Sequence, residues 1–233
     1  MGCGLFYTVY EKWTKRFKYL YELVYRAIYK RAIYLVRERI NDPLSKEIPH
    51  VILCGTATSE TSKNFARFIH GENNKSIINI LDLNSQPLEA SRIKLQADET
   101  IDSSKIMYIK CNALKIPIAD NSIDLIDTDY LMEFISPKNK QHLIKEWARV
   151  LSEDGAITTR MFLPDNIISR SINNMRRTIV KHGKIKTYES TAEEMLGIFE
   201  EAGLKANIID FKFGRLKSHI LKHIIAYKKS SSI

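Results

Sequence analysis

The chain has 233 residues, of which 44% are hydrophobic and 27% are charged. This composition is ordinary for a globular protein, and the length fits one large domain or one domain with an appendage. No apolar run approaches the roughly 20 residues that a transmembrane helix needs. The three cysteines are too few and too scattered for a disulfide framework or a zinc site. We therefore expect a cytoplasmic protein without a bound metal.

The net charge of +9 is concentrated at the two ends of the chain. Residues 1–40 carry nine Lys and Arg against three Glu, and the segment after Asp210 carries basic residues and no acid. A basic end can bind an anionic partner, such as nucleic acid, a lipid surface or an acidic subunit. It can also be a solvated helix face, and the charge pattern leaves both interpretations open.

The first 40 residues have the periodicity of an amphipathic helix. Apolar residues recur at steps of three and four, at Phe6, Val9, Trp13, Phe17, Leu20, Val24 and Ile28. The pattern predicts one or two helices over residues 5–40, and Pro43 ends the segment. We interpret residues 1–43 as an N-terminal helical lid or appendage, residues 44–229 as the main domain and residues 230–233 as a frayed tail. Seven tyrosines lie in the first 34 residues and include Tyr10, a candidate lid or base residue.

After residue 43, strands alternate with helices. The predicted strands are 50–54, 76–83, 105–111, 122–127, 156–162, 205–213 and 220–228. The predicted helices are 58–69, 86–96, 138–151, 166–182 and 191–202. The alternation predicts a Rossmann-like three-layer sandwich with a seven-stranded, mostly parallel sheet and N-terminal helices in addition. The last two strands have a short connection, so the last strand should run antiparallel.

In such a sheet, ligands bind at the carboxyl ends of the strands. The first strand ends in the small-residue loop Gly55-Thr56-Ala57-Thr58, which lets a ligand approach the backbone. The second ends in Asp82-Leu83, and a carboxylate at a strand tip can accept hydrogen bonds from the two hydroxyls of a ribose. The third ends in Asn112-Ala113, which can read an adenine edge. A simple turn at the first loop and a helix cap at the second would explain the same residues.

The order and spacing of these segments resemble the class I S-adenosylmethionine-dependent methyltransferases, in the broad group that acts on small molecules and lipids. The resemblance is carried by VILCGTATS, ILDLNSQPLEASR, YIKCNALKIPIADNSIDLIDTDYLMEFI, KEWARVLSEDGAITTRMF and TAEEMLGIFEEAGLKANIID. It implies S-adenosylmethionine as cofactor and S-adenosylhomocysteine as product. It implies cofactor contacts by the three strand tips, together with Asp127 and Thr128 on the fourth strand.

The chain departs from the family pattern in the first loop. Leu53 stands where the family has an acid that helps to hold the amino acid end of the cofactor. Ala57 and Ser59 replace two glycines, and Asn112 replaces an aspartate. One lost charge-assisted hydrogen bond would cost about 1.5–3 kcal/mol. A catalytically silent member that binds a partner through its basic helix is therefore the alternative function.

Methyl transfer requires placement of the cofactor more than a catalytic triad, although a base can help the acceptor. The base candidates are Asp127, Asp129 and Glu133, and the last two would share one face if a helical turn begins at Asp129. The alternatives are a capping Asp129, a solvated Glu133 and a base at His182. The acceptor is expected to be an O, N or C nucleophile of a small or amphiphilic molecule, presented at an anionic membrane surface. RNA is the less favoured substrate, and the oligomeric state is not predicted.

Overall fold

The computed structural model of the chain describes residues 16, 18–56, 58–164, 170–171, 173–174, 186–213 and 216–228. The helices are α1 (Lys18–Arg37), α2 (Ser59–Glu72), α3 (Ser85–Gln96), α4 (Pro137–Val150) and α5 (Ala192–Glu201). The strands are β1 (His50–Cys54), β2 (Ile77–Asp82), β3 (Ile106–Lys110), β4 (Ile123–Asp129), β5 (Leu151–Phe162), β6 (Leu204–Phe213) and β7 (Leu216–Lys228).

The strands form one sheet in the order β3-β2-β1-β4-β5-β7-β6. β1 to β5 are parallel to their neighbours, whereas β7 is antiparallel to both β5 and β6. The predicted Rossmann-like class, with its antiparallel last strand, is confirmed. The strand order reverses between β1 and β4, which places a ligand crevice at the carboxyl ends of these two strands.

Both faces of the sheet are buried, which explains why β1 reads as a continuous apolar run. Val51 and Leu53 of β1 belong to one core cluster, which also contains residues of α1, α2 and α3. Ile52 and Cys54 point to the other side, into a cluster with residues of α4 and α5. The sheet is therefore the middle layer of three.

Helix α1 is part of the first core cluster. Its inward residues are almost completely buried, namely Tyr25, Ile28, Tyr29, Ala32, Ile33, Leu35 and Val36. The helix packs on α2 and on β7. This packing follows from the apolar stripe in the sequence, and it makes α1 a structural layer of the domain. The division of the chain at residue 43 stays a prediction, and residues 1–15, with Tyr10, lie outside the described residues.

Several element boundaries differ from the predicted ones. Helix α2 continues through Gly71 to Glu72, where the sequence predicted a turn. β4 extends to Asp129, two residues beyond the predicted end. β5 begins at Leu151, whereas the sequence predicted a turn up to Gly155, because Leu151 pairs with Ile123 before the register shifts. Most of the predicted helix 166–182 lies outside the described residues, and its described residues 170–171 and 173–174 are helical.

Gly155 generates a stability prediction. A Cβ at Gly155 would lie 2.8 Å from Leu151 Cδ1 and 2.9 Å from the Ile123 carbonyl oxygen, so we expect Gly155→Ala to cost about 1–3 kcal/mol. Gly197, inside α5, has no atom within 4 Å of such a Cβ. Gly197→Ala should therefore stabilise the protein by up to about 1 kcal/mol. Urea unfolding of both variants measures the difference, and equal effects would contradict the packing at Gly155.

Candidate functional site

The tips of the first three strands are tied to one another by backbone hydrogen bonds. The Gly55 N–H donates to the Leu81 carbonyl oxygen over 2.8 Å. The Cys111 N–H donates to the Asp82 carbonyl oxygen over 3.0 Å. The loops that follow β1 and β3 are thus both anchored on the end of β2. The residues that the sequence analysis took from three separate segments lie side by side at one edge of the sheet.

Gly55 is required by the conformation of the first loop. Its φ of +81° lies in the left-handed region, which a residue with a Cβ rarely adopts. A Cβ at this position would also lie 3.3 Å from Leu131 Cδ1. Leu131 belongs to the short helical turn Leu131–Glu133 that follows β4. The absence of a side chain at Gly55 therefore keeps the backbone of the first loop accessible while the segment after β4 approaches it.

The Asp82 carboxylate is held in place by the first loop. Its Oδ2 accepts hydrogen bonds from the Thr56 N–H, at 3.0 Å, and from the Thr56 hydroxyl, at 3.2 Å. Its Oδ1 accepts from the Asn84 N–H at 2.8 Å. Burial raises the pKa of Asp82, and these hydrogen bonds act in the opposite direction. Each carboxylate oxygen has two lone pairs, so an oriented acceptor remains for a hydroxyl at the strand tip.

Leu83 and Asn112 form the rim beside Asp82. The Leu83 side chain is 63% exposed although it is apolar, and it directly follows the carboxylate in the chain. The Asn112 side chain is exposed, and its Oδ1 accepts a hydrogen bond from the Leu114 N–H at 3.0 Å. This bond fixes the direction of the amide next to Ala113. An exposed apolar side chain and an oriented amide at neighbouring tips suit the face and the edge of a base.

Two alternative interpretations of these tips can be compared with the contacts. Asn84 is the N-cap residue of α3, but its side chain makes no capping hydrogen bond. The Asp82 carboxylate accepts from the Asn84 N–H, and it also reaches across to the first loop. Thr58 does cap a helix, because its hydroxyl accepts from the Thr61 N–H at 3.1 Å. The cofactor role predicted for Thr58 thus coincides with a structural one, and Ala57 lies outside the described residues.

Behind the strand tips, Arg160 forms a buried ion cluster with two carboxylates of β4. Its Nη2 lies 2.6 Å from Asp127 Oδ1, and its Nε lies 3.2 Å from Asp129 Oδ1. The Thr158 hydroxyl also donates to Asp127, and the Tyr25 hydroxyl of α1 donates to Asp129. Burial alone would lower the pKa of Arg160, but the two carboxylates raise it. Burial also raises the pKa of Asp129, against the effect of Arg160. We call these five residues the Arg160 cluster.

The cluster changes how the predicted base residues are understood. Asp129 is the last residue of β4, and Tyr130 follows with a φ of +57°, so Asp129 and Glu133 do not share a helical face. Glu133 is 3% exposed, and its Oε1 accepts from the Phe162 N–H at 3.0 Å. Neither carboxylate is a solvated or capping group. Their predicted catalytic roles stay predictions.

Asp127 and Thr128, which are predicted to contact the cofactor, are also buried. Asp127 is 2% exposed and Thr128 is fully buried. They point to opposite faces of the sheet, as successive strand residues do. Their cofactor contacts stay predictions. His182, the other base candidate, lies outside the described residues.

Arg160 and Tyr25 were not predicted as site residues from the sequence. A signal was present, because Arg160 is the only charged residue of the predicted strand 156–162, and β4 has carboxylates two residues apart at Asp127 and Asp129. Residues two apart share a face of the sheet, so a counter-charge on a neighbouring strand could have been sought. Tyr25 could not have been distinguished from the other tyrosines of the N-terminal segment by its spacing.

A family model described as a methyltransferase domain matches residues 52–159, the part of the chain that contains the four strand tips. The chain is also 24% identical over 173 residues to the ubiquinone/menaquinone biosynthesis C-methyltransferase UbiE of Shewanella sediminis. The match covers 70% of this chain and 67% of that protein. In the curated relatives it matches, the chain spans from 55% to 67% of their length.

Solved structures agree in fold. A SAM-dependent methyltransferase from Methanosarcina mazei superposes with a TM-score of 0.58 at 17% identity, over 78% of this chain and 93% of that one. PigF with S-adenosylhomocysteine has a TM-score of 0.58 at 16% identity, over 77% of this chain and 50% of that one. The fold is Rossmann-like, as in these methyltransferases. The matched methyltransferase domain and these neighbours support a class I S-adenosylmethionine-dependent methyltransferase.

Tyr25 generates a prediction about the Arg160 cluster. Tyr25→Phe removes a hydroxyl that donates to the buried Asp129, and a hydrogen bond to a charged group contributes about 1.5–3 kcal/mol. We expect urea unfolding to show a loss of this size. Tyr19→Phe is the matched control, because Tyr19 lies on the same helix and is 86% exposed, so its loss should stay below about 0.5 kcal/mol. Equal losses in the two variants would contradict the contact.

Arg160 generates a prediction with a pH dependence. Arg160→Met leaves Asp127 and Asp129 buried without their counter-charge, which should cost about 3–5 kcal/mol at neutral pH. Burial raises the pKa of Asp129 in the folded protein, and losing Arg160 should raise it further. When the pKa of a carboxyl is higher in the folded than in the unfolded state, the protein becomes more stable as the pH falls through the folded-state pKa. The stability deficit of the variant should therefore shrink on acidification.

The control for this second experiment is Lys145→Met, which removes an exposed cation from α4. We expect it to change stability by less than about 0.5 kcal/mol, with the wild-type pH profile. An Arg160→Met deficit that stays constant down to acidic pH would show that the loss comes from packing and not from the unpaired carboxylates.

Proposed function

We propose that the protein transfers the methyl group of S-adenosylmethionine to a nucleophilic O, N or C atom of a small or amphiphilic molecule. The observation that carries this proposal is the position of the Asp82 carboxylate. Hydrogen bonds from the first loop hold it at the tip of β2, between the ends of β1 and β3. A carboxylate in this position matches the hydroxyls of a ribose. The hydrogen-bonding groups at the strand tips therefore fit the adenosine part of the cofactor.

Each strand tip has a distinct role in this proposal. Gly55 leaves the backbone of the first loop open to the ligand, and Asp82 accepts from the ribose hydroxyls. Leu83 packs against a face of the adenine, and the Asn112 amide with the Ala113 N–H reads its edge. The bound cofactor supplies an electrophilic methyl group on a sulfonium. The residues of the chain bind it, orient it and exclude water from it.

The amino acid end of the cofactor is held differently from the family pattern. Leu53 is completely buried and cannot replace the missing acid. Asp127 is the residue of β4 aligned with Leu53, so a carboxylate does lie beside this position. However, Asp127 is paired with Arg160, which neutralises its charge. We therefore expect weaker binding of the amino acid end, by roughly ten- to a hundredfold for one lost charge-assisted hydrogen bond.

For the acceptor, we infer that the segment after β4 bounds the substrate site. Glu133 remains the candidate base. Its carboxylate would have to release the hydrogen bond from the Phe162 N–H before it could take a proton from the methyl acceptor. Asp129 is better suited to positioning β4 and α1, because Arg160 and Tyr25 bond both of its oxygens. The C-methyltransferase named among the relatives makes a carbon atom a rational first acceptor to test.

Calorimetry with S-adenosylmethionine and S-adenosylhomocysteine tests the cofactor site. Asp82→Asn keeps the shape of the side chain but halves its acceptor capacity, so we expect a loss of affinity of about ten- to a hundredfold. The wild-type affinity should also fall on acidification, because burial raises the pKa of Asp82 and protonation removes an acceptor. The Asp82→Asn variant should lose this pH dependence.

Glu47→Gln is the matched control, since Glu47 precedes β1 at the opposite edge of the sheet and its side chain is 83% exposed. It makes the same charge change and should bind the cofactor as the wild type does. Wild-type protein that binds neither compound at millimolar concentration would favour the catalytically silent alternative. Binding that is unchanged in Asp82→Asn would mean that the ribose lies elsewhere.

A further inference from the structure

Helix α1 has a second apolar surface, opposite the one that packs on the sheet. Large apolar side chains on the outer side of the helix are exposed, namely Tyr19 (86%), Leu23 (60%) and Tyr34 (51%). They follow one another at helical spacing, and Arg26 and Lys30 lie between them, both exposed. We call these five residues the outer face of α1. Packing on the sheet does not account for their apolar character.

The outer face of α1 is positively charged. It contains two cations and no carboxylate. Arg37 follows at the end of the helix and is paired with Asp42 and Glu72, at 2.8 and 2.7 Å. The carboxylates nearest to it along the helix are paired, and Glu38 also accepts a hydrogen bond from the Tyr34 hydroxyl of the outer face. Glu22 pairs with Arg67 of α2 at 2.7 Å, and Glu38 lies 3.5 Å from Arg39. The combination of exposed aromatic and aliphatic side chains with unopposed cations is typical of helices that lie on an anionic membrane surface.

A groove between α1 and α2 adjoins this face. Arg26 and Lys30 line it together with Asn64 and Phe68, and its volume is about 300 Å³. Two carboxylates also line it, and each is paired with an arginine, Glu22 with Arg67 and Glu72 with Arg37. Asn64 is only 6% exposed, and its Nδ2 has no hydrogen-bond partner among the described residues. A buried donor without a partner is costly, and an amide donor beside a guanidinium and an ammonium matches the oxygens of a phosphate. The groove thus offers an anionic headgroup a place next to the apolar side chains.

We propose that the outer face of α1 docks on an anionic lipid bilayer. Tyr19, Leu23 and Tyr34 enter the boundary between headgroups and acyl chains, where amphipathic aromatic rings are favoured. Arg26 and Lys30 contact lipid phosphates, and one phosphate occupies the groove at Asn64. No helix among the described residues has an apolar stretch long enough to span a bilayer, so the helix lies on the surface.

The position of α1 connects this surface to the rest of the molecule. The inner side of the helix contacts the last residue of β4 through Tyr25, at the edge of the sheet that carries the strand tips. A bilayer on the outer side is therefore separated from the tip of β4 by one helix diameter, about 10 Å. Docking would bring that edge of the protein close to lipid. The proposal concerns binding alone and does not depend on methyl transfer.

Flotation of the full chain with vesicles tests the proposal. We expect binding to vesicles of phosphatidylcholine with phosphatidylglycerol, weaker binding at higher salt, and little binding to phosphatidylcholine alone. Arg26→Gln with Lys30→Gln should weaken binding about thirtyfold, since each cation near the surface contributes roughly fivefold. Leu23→Gln should weaken binding at all salt concentrations. Asn64→Leu should weaken it several-fold, because it removes the donor in the groove.

The matched control is Lys138→Gln with Lys145→Gln, which makes the same charge change on α4, at the other face of the sheet. It should bind vesicles nearly as the wild type does, and circular dichroism should show every variant folded. Absence of binding at low salt would overturn the proposal. So would equal losses in the two double variants, or binding of structured RNA without any affinity for phosphatidylglycerol vesicles.

Discussion

The ion cluster around Arg160 is the constraint on which the rest of the structure depends. A guanidinium inside a sheet is stable only if its charge and its donors are satisfied, and here β4 supplies two carboxylates while β5 adds a hydroxyl. Tyr25 completes the set from α1. Three elements that are distant in the chain are thus fixed relative to one another by directional contacts. The tip of β4 and the N-terminal helix therefore cannot move independently without breaking buried hydrogen bonds.

This constraint explains why the carboxylates of the fourth strand are conspicuous in the sequence and yet are not accessible to a ligand. Asp127 and Asp129 stand in the segment where a catalytic or cofactor-binding acid would be sought. Their oxygens are turned towards Arg160, away from solvent. Asp82 contrasts with them. Its partners are the N–H and the hydroxyl of Thr56 in the first loop and the N–H of Asn84, and no cation among the described residues forms an ion pair with it. A carboxylate held by neutral donors keeps its charge for a ligand.

The N-terminal helix combines two surfaces with different physical tasks. Its inner stripe covers one face of the sheet and excludes water from it, and its outer face carries aromatic side chains among cations. The tyrosines of this segment are accordingly divided. Tyr25 and Tyr29 are buried, the first against Asp129 and the second against Phe65 and Phe68, whereas Tyr19 and Tyr34 face outward. A lid role for the residues before Lys18 stays a prediction.

The sequence by itself determined the order of strands and helices, the parallel sheet with its antiparallel end, and the strand tips at Gly55, Asp82 and Asn112. These are local properties, since hydrophobic periodicity and turn residues depend on neighbours along the chain. Only the tertiary structure decided which polar groups face each other. That Arg160 binds Asp127 and Asp129, and that Tyr25 and Tyr29 reach this cluster, depends on strand register and helix position. Register between β4 and β5 is set by packing across the whole sheet, and no short stretch of sequence encodes it.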